Sequence, residues 1–173
     1  MKKRILQGVV LAFATFAMVS FDTVKGWIPT GSNPQNYEMG EDAKINKEGV
    51  GFNTIKSRAN VAGFGALMHT IDAKTFQGKR IKVTGLIKSS DVLEWGGIWV
   101  SVNQSSSESV SLDNMKVSRI TGTKDAFTHV SIVVDVPANS KGIAYGSLLK
   151  GSGKISTGRV SFDIVDKSVP LTK

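Results

Sequence analysis

The 173-residue chain contains no cysteine. That excludes disulfides, thiolate nucleophiles, cysteine-ligated metals and a lipid-anchored cysteine. The fold must be held by its apolar core alone, which a chain of this size can supply. Histidine is almost as scarce. His69 and His129 are the two, and they fall on separate strand patterns. No long helical pattern rich in Ala, Glu and Leu occurs. No phosphate loop occurs either: Gly151-Ser152-Gly153-Lys154-Ile155-Ser156 has the wrong spacing and leads into a strand pattern. No serine stands in a nucleophile-elbow context. Basic stretches interleaved with aromatics are also missing, so nucleic acid is not an expected partner.

What is present begins with glycine, at 18 residues, in a chain that is 40% hydrophobic and 21% charged. This is an ordinary globular composition with many turns. Lys2, Lys3 and Arg4 precede an apolar run from Ile5 to Phe21, broken by Gln7, Thr15 and Ser20. The pattern reads as a secretory signal peptide over residues 1–22, with small residues at Ala12, Ala14, Ala17 and Ser20 near its end. A retained membrane anchor is the competing reading, although the run is at the short end for a span. Export to the periplasm or the exterior is therefore expected, with no membrane span once the signal is removed. Three positive charges of the net +8 lie in this segment. The rest reads as solubility, or as attraction to an acidic surface or polyanionic glycan.

Residues 78–103 carry the clearest pattern. Ile81, Val83, Gly85 and Ile87 alternate with Arg80, Lys82, Thr84, Leu86 and Lys88; Ile98, Val100 and Val102 alternate with Trp99, Ser101 and Asn103. The reading is two strands of an antiparallel sheet, with a helical turn or loop at Asp91-Val92-Leu93-Glu94-Trp95 between them. Further strands are expected at Val50–Ser57, Gly65–Ala73, Ser109–Leu112, Phe127–Val136, Ile143–Leu149 and Arg159–Ile164. Turns are expected at Gln77-Gly78, Gln104–Ser107, Gly122-Thr123, Pro137–Asn139 and Gly151–Gly153. Lys25–Tyr37 reads as an irregular lead-in and Glu38–Glu48 as a loop followed by an edge strand. Together these predict an all-β, antiparallel jelly-roll β-sandwich, one domain over 27–173.

The motifs SNPQNYEMGED, GFGALMHTIDAKTFQGKRIKVTGLIK, WGGIWVSV, LDNM, GTKDAF, VVDVP and IAYGSLLKGSG together resemble a bacterial β-sandwich module from about Trp27 to Val165. That module occurs alone in exported proteins and attached to helix-turn-helix transcription regulators. It is similar to galactose-binding-like jelly rolls and carbohydrate-binding modules. The resemblance implies the same sandwich. No helix-turn-helix pattern is visible, and the regulator role is not carried over. Where this family usually has a longer polar residue and an Asp, the chain has Ser101 and Asn103.

Trp99, Ser101 and Asn103 fall on one face of their strand. An aromatic platform beside hydroxyl and amide groups suits a sugar, whose apolar face stacks while its hydroxyls are read by hydrogen bonds. The competing reading places Trp99 in the core. Trp95 is a rim or plug candidate, and Trp27 a clamp for the lead-in. Asn114, in the Asp113-Asn114-Met115 motif, is a corner residue or a ligand-reading amide. His69 is a candidate polar contact or a core histidine; His129 is expected to be solvated. Glu94, Asp113, Asp135 and Asp163 are the carboxylates that hydrolysis would need to pair. Glu41, Asp42 and Asp163 are weak candidates for a structural calcium; no other cofactor is expected. The reading is a non-catalytic exported binding module for a carbohydrate or similar small polar ligand. The alternatives are an envelope protein-interaction or structural module and, third, a jelly-roll glycoside hydrolase.

Overall fold

The computed structural model describes residues 26–41, 52–58, 61–103, 109–111 and 119–172. The expected signal segment, Asp42, the turn at Gln104–Ser107 and the Asp113-Asn114-Met115 motif lie outside these residues. Nine strands are described: β1 (Ile28–Gly31), β2 (Tyr37–Glu41), β3 (Phe52–Ser57), β4 (Phe64–Asp72), β5 (Arg80–Asn103), β6 (Ser109–Ser111), β7 (Ile120–Asp135), β8 (Gly142–Lys150) and β9 (Lys154–Val165), with one 3-10 turn at Pro34–Asn36. All pairings are antiparallel.

β5 organises the sandwich. Its first half pairs with β7 on one side and β9 on the other, and β9 continues through β3 to β2. Its second half pairs with β8 and β6, and β8 continues through β4 to β1. One strand thus belongs to two five-stranded layers. The two halves do not pair with each other, and no separate turn divides them. This corrects the expectation of two strands around Asp91–Trp95. Asp91 makes the bend, at φ 52. Asp tolerates this left-handed conformation better than most residues. The Thr123 hydroxyl accepts from the Asp91 N–H at 3.0 Å, and the Leu93 N–H donates to the Ser152 carbonyl at 3.0 Å. The bend is therefore clasped from β7 and from the β8–β9 turn.

The inward rows follow from the two-residue period. Ile81, Val83, Ile98, Val100 and Val102 from β5 meet Ile132, Val134 and Ile143 in one cluster. A second cluster holds Tyr37, Met39, Ile55, Leu67, Ile87, Leu149 and Ile155. Each fully buried aliphatic side chain contributes roughly 1.5–3 kcal/mol. Tyr37 is fully buried, with its hydroxyl 3.0 Å from the Gly63 carbonyl and 3.1 Å from the Gly151 carbonyl. That anchor pins β2 beneath two loops.

Four further expectations are corrected. The lead-in holds an ordered strand, β1, paired with β4. Gly122-Thr123 lies inside β7 rather than in a turn, and β9 starts at Lys154, five residues before the expected Arg159. Ile164, expected inward, is 52% exposed at the end of the sandwich.

Candidate functional site

In the second half of β5 the aliphatic residues point inward, so Trp95, Gly97, Trp99, Ser101 and Asn103 point outward. Their neighbours on β8 in register are Lys150, Leu148, Gly146, Ala144 and Gly142. Beside Trp99, Ser101 and Asn103 the adjacent strand therefore presents only Gly or Ala. Beyond it, β4 contributes Met68 and Thr70 to the same face. The result is a face on which the partly exposed Trp99 stands beside small residues. The Trp99 indole N–H reaches over β8 to the Ser147 carbonyl at 3.4 Å, and the ring stays partly exposed. Gly146 is required there, because a Cβ would overlap the Leu67 carbonyl. Ser101 donates to the Asn103 side-chain carbonyl at 3.4 Å.

Trp95 shares this face, four residues away and roughly 13 Å along the strand. The Arg119 guanidinium sits 4.4 Å from the centre of its ring, a cation–π contact that occupies one ring face. Glu94, next to it, pairs with Lys150 at 2.9 Å.

His69 does not join this group. It is in register with Tyr145 and faces between the layers. Its Nδ1 lies 2.6 Å from the Gly26 carbonyl, and its ring packs 5.4 Å from Trp27 and 5.6 Å from Tyr145. The grouping of His69 with Trp99 is thereby corrected: a strand puts neighbours in register on one face, and these two fall on opposite faces. His129 is exposed on β7. Asn114 lies outside the described residues.

The described carboxylates do not form a pair. Asp135 makes a bidentate ion pair with Arg80 at 2.8 and 2.9 Å. That hydrogen bonding holds the Asp135 carboxyl below the usual carboxylate range. Glu94 is bound to Lys150. Asp163 is exposed on β9 opposite Lys82. Glu41 is in register with Asn53, which faces Thr157, six residues from Asp163 along β9. At about 3.3 Å per residue these two calcium candidates are roughly 20 Å apart along the strand direction. Among the described residues no group of three His, Asp or Glu side chains could hold a metal ion.

A second concavity, which the strand pattern alone had not singled out, opens between the layers. It has a volume of about 270 Å³ and is lined by Trp27, Asn53, Tyr145, Thr157 and Arg159, among others. Trp27 and Tyr145 meet edge to face at 5.6 Å. Burial pushes the Tyr145 phenol above its ordinary pKa, so it stays a neutral donor. The sequence signal for this cleft was a polar residue in an inward row: Asn53 beside Ile55, and Thr157 beside Ile155.

No family model matches the chain. An uncharacterized HTH-type transcriptional regulator of Bacillus subtilis (strain 168), YbfP, is 34% identical over 151 residues, covering 86% of this chain and 51% of that protein. The chain thus spans about half the length of the curated relative it matches. Among solved structures, the N-terminal CBM22-1–GH10 portion of Clostridium thermocellum xylanase 10B, complexed with xylohexaose, superposes with a TM-score of 0.61 at 13% identity, over 86% of this chain and 28% of that one. The C-terminal family 22 carbohydrate-binding module of the same enzyme superposes with a TM-score of 0.56 at 9% identity, over 86% of this chain and 91% of that one. The fold is that of the carbohydrate-binding-module jelly rolls.

Proposed function

We propose that this chain is a non-catalytic, exported binding module for a carbohydrate, and that the outward face of the second half of β5 is its platform. The observation that carries the reading is the partly exposed Trp99 ring beside a floor of Gly142, Ala144 and Gly146. A pyranose ring stacks its apolar face on such an indole, while Ser101 and Asn103 read its hydroxyl groups. The outward row runs along the strand from Trp95 to Asn103, roughly 26 Å, the length of several sugar units. The fold likeness to carbohydrate-binding modules supports the same reading.

The test is isothermal titration of the full chain against a panel of soluble β-glycans. The expected result is binding by at least one glycan that weakens tenfold or more in Trp99→Ala. Glycan binding that Trp99→Ala leaves unchanged contradicts the platform.

A further inference from the structure

We propose that the cleft between the layers is a second, separate binding site, and that it takes a single hydroxylated carboxylate of the sugar-acid class. Three independent observations converge on it.

The first is unmet hydrogen bonding. Asn53 is 4% exposed and lines the cleft, and its Oδ1 has no hydrogen-bond partner among the described residues. A buried amide oxygen left unmatched is costly, and it can only accept. A ligand carrying a hydroxyl donor satisfies it. An apolar ligand does not.

The second is charge. Arg159 has φ 51 and stands where β9 bulges opposite Gly85, between the register positions Thr84–Ser161 and Leu86–Gly158. A left-handed arginine is strained, and such strain persists only where the surroundings impose it. Arg159 lines the cleft, is exposed and forms no ion pair among the described residues. No acidic side chain is among the described residues that line the cleft. An arginine fork beside a neutral acceptor matches a carboxylate at one end of a polyol.

The third is size and wall. A volume of about 270 Å³ is just under the range typical of drug-sized ligands, roughly 300–1,000 Å³. One sugar ring suits it better than a chain of them. Trp27 and Tyr145 give that ring an aromatic wall, and His69, fixed by the Gly26 carbonyl, braces Trp27 from behind.

The experiment follows indole N–H resonances in the full chain, which has three tryptophans. Titration with D-glucuronate is expected to shift the Trp27 signal and leave Trp99 in place. Affinity is expected to exceed that for D-glucose by about tenfold or more, the worth of one charge-assisted contact. In Arg159→Gly the glucuronate affinity is expected to fall by a similar factor. Its thermal midpoint should hold or rise, because glycine adopts φ 51 without strain; Arg159→Asn serves the same purpose should the glycine variant not fold. Trp99→Ala should leave glucuronate binding intact. The proposal is overturned by a Trp27 signal that glucuronate does not move, by equal binding of glucose, or by unchanged affinity in the Arg159 variants. A β-glycan that moves Trp99 while glucuronate moves nothing overturns this site and leaves the platform standing.

Discussion

Over Arg80–Ser90, β5 turns Arg80, Lys82, Thr84, Leu86 and Lys88 outward; over Trp95–Asn103, the same strand turns Trp95, Gly97, Trp99, Ser101 and Asn103 outward. Inward, both halves present the same kind of row, Ile81 and Val83 in one and Ile98, Val100 and Val102 in the other. The first outward row is closed by pairing: Arg80 holds Asp135 and the Lys167 and Val169 carbonyls, and Thr84 shares a 2.6 Å hydrogen bond with Ser161. The second outward row is uncharged, aromatic and set beside glycines and alanine. Shared inward rows make the core. The candidate platform along β5 therefore lies where the outward rows part company.

Substitutions can break this comparison, and the largest effect is expected at Gly146. Gly146→Ala forces a Cβ into the Leu67 carbonyl, and overpacking of that kind costs roughly 2–4 kcal/mol. Chemical denaturation should show it, with glycan binding lost alongside, because Gly146 lies under Trp99. Next come Trp99→Ala and Thr84→Ala, compared as a pair. The first should weaken glycan binding at least tenfold, about 1.4 kcal/mol; the second, on the paired half, should leave it unchanged. Equal losses by calorimetry erase the distinction between the halves.

A smaller effect is expected from pH. Arg80 holds the folded-state Asp135 carboxyl below its unfolded value, first through their hydrogen bond. The stabilisation is therefore fully present above the ordinary carboxylate pKa and is lost as pH falls through the lowered folded value. Asp135 is about half exposed, so screening limits the worth to about 0.5–1 kcal/mol. Asp135→Asn should remove that amount at neutral pH and flatten the acid limb of the stability profile, with glycan affinity unaltered. The smallest effect is expected at Lys82→Ala, within about 0.5 kcal/mol in stability and without change in binding.

Much of this was legible in the sequence, for a simple reason. A half-buried strand repeats every two residues, so the rows through Ile81, Ile98, Ile132 and Ile143 announced themselves, as did the outward position of Trp99 relative to them. The bend at Asp91 was not legible. It depends on Thr123 and Ser152, distant in sequence, and the local residues read as a turn. β1 was missed for the same reason: four residues with a proline become a strand only because β4 supplies the partners. His69 was placed in its inward row correctly and assigned to the wrong site, because alternation says which residues share a face but not what lies across from it. The cleft was present only as polar breaks at Asn53 and Thr157, whose meaning needed both layers in view.

The most direct test of the platform follows the three tryptophan indole signals while a bound β-glycan is titrated into the full chain. Trp99 is expected to shift most, Trp95 less because Arg119 covers one face of its ring, and Trp27 not at all. A glycan that moves Trp27 and leaves Trp99 untouched would place recognition between the layers and contradict the assignment of the outward face of β5.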